Sequence, residues 1–124
     1  MTDIQQSEHQ VRIRLDSDED VWFWERRFNV FDFLELFPMD AVTPPSEPDE
    51  KPPHAPVQLT INTDADFSFE TDIVRGGFYW RNQSHGTRKW MAKRHVTAGD
   101  SIVIERTGDT VYFLRKESST DDNR

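Results

Sequence analysis

The stretch "SIVIERTGDTVYFLRK", Ser101–Lys116, constrains the chain more than any other. Two runs of strand-forming residues flank Thr-Gly-Asp, whose chemistry suits a tight reversal, so the segment predicts a β-hairpin. "AGD" at 98–100 turns the chain into the first run. "VRIRL" at 11–15, "VQLTIN" at 57–62 and "FSFETDI" at 67–73 alternate with the same period of two, and "GGFYW" at 76–80 adds a further strand after a glycine pair.

The remaining segments fit around these strands. "DSDED" at 16–20 is a polar turn and "VWFWER" after it continues a hairpin or meander. Asn29 followed by Asp32 resembles a capping box, so "VFDFLELF" predicts a short α-helix over about 29–37, stopped by Pro38. A second helix is expected over about 88–95 in "TRKWMAKRH". Residues 42–57 hold six of the seven prolines, which remove donors and restrict their neighbours, so an exposed loop is expected there. The fold class that follows is mainly β, a six- or seven-stranded open pseudobarrel with two short α-helices.

With 124 residues the chain suits one domain, and its nine Phe and four Trp can supply a core despite a hydrophobic fraction of 35%. That domain is expected over 11–116, with polar tails at 1–10 and 117–124 that bury too little surface to order. Cysteine is absent, which removes thiolate chemistry. No apolar run approaches the roughly 20 residues that cross a bilayer, and the first residues do not read as a secretory signal. A soluble, cytoplasmic protein with no membrane contact is the expectation.

Charge is distributed unevenly. The net charge is −8, and four Lys against fourteen Asp suit a salt-rich source. Residues 1–70 carry −11 while 71–116 carry +5. Within the second part, Ile73 to Gly99 contains no acid and collects Arg75, Arg81, Arg88, Lys89, Lys93 and Arg94. A solvated surface in so acidic a chain would ordinarily be interrupted by Asp or Glu, so the island marks an anionic partner.

The order of pieces is informative: a short helix ending in Phe37-Pro38, two alternating strands, then Trp80, Asn82 and Ser84, then Lys89-Trp90, then Val96, Gly99 and Asp100. This order, over about 11–116, resembles the plant B-three DNA-binding domain, and it is similar to the amino-terminal effector-binding domain of the restriction enzyme EcoRII. The resemblance implies a DNA-binding pseudobarrel that grips the major groove with two arms. It makes residues 79–88 the second arm and 16–27 the first, where four acids would repel phosphate. That acidic segment at 16–20 is the candidate contact for a protein partner. The resemblance also leaves room for an accessory role beside a nuclease in a restriction system.

Residue chemistry points the same way. Arg can bond guanine bidentately and Asn or Gln adenine, while Ser, Lys and backbone amides hold phosphate. Arg81, Asn82, Gln83 and His85 are the base-reading candidates on the arm from Trp80 to Lys89. Ser84, Arg88, Lys89, Lys93 and Arg94 are the phosphate candidates, with Arg75, Arg26 and Arg27 flanking. The expected function is non-catalytic binding of double-stranded DNA. The alternatives are a protein-interaction module, or a single-stranded nucleic acid or RNA binder stacking bases on Tyr79, Trp80 or Trp90.

Enzyme readings lack a constellation. Asp16, Asp18 and Asp20 have calcium-loop spacing, but Val21 stands where glycine is needed and Arg27 where the bidentate acid is needed. "PDEK" at 48–51 sits among prolines, not on separate parts of a sheet as a nuclease site requires. His9, His54, His85 and His95 have no ligand spacing, and Gly76-Gly77 lacks the Lys and helix of a phosphate loop. No catalytic residue, metal site or cofactor is therefore expected.

Overall fold

A computed structural model describes residues 3–45, 53–81 and 86–118. β1 (Asp3–Gln6) and β2 (Gln10–Arg14) form an antiparallel pair at the start of the chain. The first residues were expected to be an unstructured tail. They order because Ile4, opposite Ile13, packs against the core and the strand gains a full ladder. In β2 the alternation survives folding: Val11 and Ile13 are buried, with Arg12 and Arg14 on the outer face.

α1 (Asp18–Arg26) occupies the segment expected to continue a meander. Two local signals outweigh the alternation of "VWFWER". Ser17 caps the helix, its side chain accepting from the Asp20 amide at 3.2 Å, and Asp18, Glu19 and Asp20 complement the positive end of the dipole. Val21, Trp24 and Phe28 then follow a spacing that turns one face inward.

The α-helix expected at 29–37 is a 3-10 helix, Phe31–Leu36, with a kink at Phe33, followed by a 3-10 turn at Met39–Ala41. Asn29 does not cap an α-helix. Its Oδ1 accepts from the Phe31 amide at 3.0 Å while its Nδ2 donates to the Gly77 carbonyl at 2.8 Å, so it fastens two loops together. Pro38 ends the segment as its ring requires.

β3 (Leu59–Thr63) and β4 (Ser68–Thr71) form an antiparallel pair, and β5 (Ile73–Val74) pairs with β6 (Tyr79–Trp80) in a separate small sheet. α2 (Gly86–Lys93) precedes the hairpin of β7 (Ser101–Arg106) and β8 (Val111–Glu117). The hairpin falls where its sequence places it, with Ile104 opposite Leu114.

The main sheet runs β1-β2-β7-β8-β3-β4. Its β3–β8 pairing is parallel and the rest are antiparallel. The sheet does not close on itself, so the chain is mainly β and an open pseudobarrel. Among the described residues eight strands are present, six in the main sheet. The two beyond it arise because Ile73–Trp80 folds back on itself as its own short hairpin.

The core fills the concave side with Leu59, Ile61, Ile102, Ile104 and Leu114 under a string of rings. Phe28 stacks on Trp80 at 4.4 Å, Phe37 meets Trp80 edge-on, and Phe37 lies 4.9 Å from Tyr112. Tyr112 donates its hydroxyl hydrogen to the Leu36 carbonyl at 2.7 Å, and burial pushes its pKa up to about 12 despite the opposing charge of Arg106. The expected proline-rich loop has no regular element among its described residues, yet both its ends are docked. Val42 bridges Ile73, and Ala55 is buried. Residues 46–52 lie outside the described residues, as does the carboxy-terminal tail from 119.

Candidate nucleic-acid interface

The acid-free island begins on the small β5–β6 sheet and ends beyond α2. β6 is short because it has two jobs: Trp80 turns into the core, while the backbone on either side hydrogen-bonds to other segments. The Trp80 amide donates to the Phe28 carbonyl at 3.0 Å, and the Arg81 amide donates to the Asp72 carbonyl at 2.9 Å. Trp80 is 2% exposed and therefore anchors the root of the arm; its ring does not reach the surface.

Arg81 turns inward. Its Nε donates to Asp72 Oδ1 at 2.7 Å and its Nη2 to the Pro53 carbonyl at 2.7 Å. Asp72 is fully buried and also accepts from the Ala55 amide at 2.8 Å and from Gln58 Nε2 at 3.4 Å. Burial alone would raise the Asp72 pKa. The hydrogen bond and charge of Arg81, with the Ala55 and Gln58 donors, outweigh it and hold the carboxyl below its ordinary value. His54 approaches the same carboxylate, Nδ1 to Oδ2 at 3.8 Å. One buried acid thus ties the arm's first residue to the end of the proline-rich segment, and the Arg81 guanidinium is committed within the fold.

Asn82, Gln83, Ser84 and His85 lie outside the described residues. The chain returns at Gly86, the first residue of α2. A Cβ there would run into the Phe69 ring, so the helix starts in direct contact with β4 and only glycine fits without a shift. Thr87, Trp90 and Met91 face inward. Trp90 is fully buried and its Nε1 donates to Asp64 Oδ1 at 2.7 Å, while Asp64 Oδ2 accepts from the Lys116 amide at 3.0 Å. Asp64 therefore locks α2 to β8, in a position where neither Trp90 nor Trp80 offers a ring for base stacking.

The opposite face of α2 is cationic. Arg88, Lys89 and Lys93 are exposed. Lys89 and Lys93 sit over the Phe67 ring, at 4.8 and 5.5 Å from its centroid, so both ammonium groups are gathered at one place. Among the described residues no acidic side chain pairs with Arg88, Lys89 or Lys93. Arg94 differs: its Nε lies 3.3 Å from Asp64 Oδ2, an ion pair that holds the helix end.

The flanking cations divide similarly. Arg75 donates through Nε to the Thr43 carbonyl at 2.9 Å and braces a turn. Arg26 lies over the Trp22 ring at 4.3 Å and Arg27 over Tyr79 at 4.4 Å. The structure brings together Arg88, Lys89 and Lys93 on one helix and sets Arg27 beside the β6 strand, while Arg26 stays on α1, paired with Glu25 at 3.2 Å. It assigns Trp80, Arg81, Arg94 and Arg75 to holding the framework. Phe67, the ring under both lysines, was missed because its segment reads only as an alternating strand. Asp72 and Asp64 were missed because isolated acids carry no spacing signal.

Among the described residues no cluster of three His, Asp or Glu is arranged to hold a metal ion, and no helix is long and apolar enough to cross a membrane. Comparison with protein-family models, with curated proteins and with solved structures found no match to this chain.

Proposed function

We propose that the protein binds double-stranded DNA without catalysis, using the segment from Trp80 to Lys89 and the cationic face of α2. The observation that carries this reading is the group of Arg88, Lys89 and Lys93, exposed on one helix and unpaired by acids among the described residues, in a chain of net charge −8. Such a concentration costs local self-repulsion, which a bound polyanion relieves. The ordered resemblance to the B-three and EcoRII-type domains supports the same partner. Within this reading Arg81 fastens the arm, and Asn82, Gln83 and His85 are left as the base readers. Ser84 joins the α2 cations at the backbone, with Arg26 and Arg27 at the flank.

The test is a mobility-shift titration of duplex DNA at two salt concentrations. The double change Lys89→Glu and Lys93→Glu is expected to weaken binding at least tenfold and to reduce the salt slope by about 1.8, the value for two lost phosphate contacts. Both residues are exposed, so the fold is retained. Unchanged affinity in the double variant, or wild-type binding that does not weaken with salt, overturns the reading. Arg81→Asp is unsuitable here, because it would set a second carboxylate against buried Asp72.

A further inference from the structure

The exposed aromatic side chains are not scattered. Trp22 is 55% exposed, Phe23 45% and Phe31 59%, in a chain whose other large rings are mostly inside. Isolated apolar residues at a surface need no explanation, but a connected set does. Arginines lie on neighbouring rings. Arg26 covers one face of Trp22 at 4.3 Å while pairing with Glu25 at 3.2 Å, and the next residue, Arg27, covers Tyr79 at 4.4 Å. The backbone beyond them runs beside β6, through Val30 N–H to the Phe78 carbonyl at 2.8 Å, and carries Phe31 to within 5.5 Å of the Phe78 ring. Rings and guanidiniums therefore recur along the strip of chain that starts on α1 and ends against the β5–β6 turn.

We propose that this strip takes an unpaired stretch of polynucleotide, its bases stacking on Trp22, Phe23 and Phe31 and its phosphates meeting Arg27. Charge sets the direction. Asp18, Glu19 and Asp20 close the far end of α1 to phosphate, whereas the arginine end adjoins β6 and so the root of the arm. Planar rings with guanidiniums between them fit bases joined by phosphates better than they fit an apolar peptide, which would leave Arg27 without a counter-charge. The inference rests on the nucleic-acid reading above and extends it: α1 packs against α2, so a single strand leaving a duplex held at α2 would meet α1. It also moves base stacking away from Trp80 and Trp90, which are buried.

The experiment compares four labelled probes by anisotropy: a blunt duplex, the same duplex with a dT overhang, a dT oligomer and a U oligomer. The overhang is expected to tighten binding about tenfold, the order expected for one or more stacked bases. Trp22→Ala with Phe23→Ala should abolish that gain and leave blunt-duplex affinity unchanged, and Trp22→Phe should retain most of it. Both side chains are about half exposed, so the core survives their removal. The dT and U oligomers decide whether the strand is DNA or RNA. Equal affinity for blunt and overhanging duplexes, or a gain that survives the double variant, overturns the inference and leaves the duplex reading standing. Binding of dT through Trp22 with no blunt-duplex binding supports the inference and sinks the duplex reading. Self-association abolished by the double variant, with no effect on any nucleic-acid probe, makes the strip an interface between copies and also overturns the proposal.

Discussion

Asp72 decides more of this molecule than its single charge suggests. It is the buried acceptor for Arg81, for the Ala55 amide and for Gln58, so one carboxylate joins the root of the arm to the end of the proline-rich segment. Removing its charge strands the Arg81 guanidinium, whose side chain is 12% exposed. Asp72→Asn is therefore expected to cost about 3–5 kcal/mol at neutral pH, the usual penalty for breaking a buried pair from one side. Because the folded-state pKa of Asp72 is lowered, its contribution is fully present above the unfolded value and is lost as pH falls through the folded one. Urea titrations at pH 7 and below pH 3 should show a large wild-type advantage over Asp72→Asn that shrinks in acid. An advantage independent of pH would mean that the side chain acts through shape alone.

Among elements, the two helices show how a short segment is decided. α1 is amphipathic in a way that alternation conceals, since "VWFWER" satisfies both a period of two and a helix with Trp24 inward. The cap at Ser17 and the acidic first turn settle it locally. α2 was legible from its sequence to within two residues at each end, but the reason for its start was not. Gly86 fits because the Phe69 ring leaves no space for a Cβ. Gly86→Ala should cost roughly 1–3 kcal/mol through overpacking, although alanine is the better helix former. Thermal or urea unfolding checks this, and a neutral or stabilising result would mean that the helix start shifts without resistance. The same variant should weaken DNA binding if the α2 face and the arm must keep their relative position.

On the scale of the whole molecule, β1 and β4 are the sheet's two edges, and the chain leaves them unjoined. Residues 3–6 read as tail because "DIQQ" carries one apolar side chain. They become strand because β2 offers a ladder and Ile4 a place against the core. Deleting residues 1–6 should lower the unfolding free energy by about 1 kcal/mol from the burial of Ile4 alone, read as a lower urea midpoint. It should also bare the edge of β2 and promote self-association. An unchanged midpoint would show that the strand adds nothing. The charge separation has the opposite character. It was complete in the sequence, and folding concentrated it by turning Arg81, Arg94 and Arg75 inward and leaving Arg88, Lys89 and Lys93 at the surface.

Local chemistry alone was enough for the hairpin of β7 and β8, the lack of regular structure among the described residues around the prolines, and the acid-free island, because each depends on neighbours within a few residues. The parallel pairing of β3 with β8, the use of Asn29 as a clasp, and the holding of Arg75 by Thr43, of Arg81 by Pro53 and of Arg94 by Asp64 depend on partners dozens of positions away. Asn29 lies 48 residues from Gly77, and Trp90 lies 26 from Asp64. No periodicity along the chain encodes such meetings. They are fixed when the core closes and each buried polar group must find a partner.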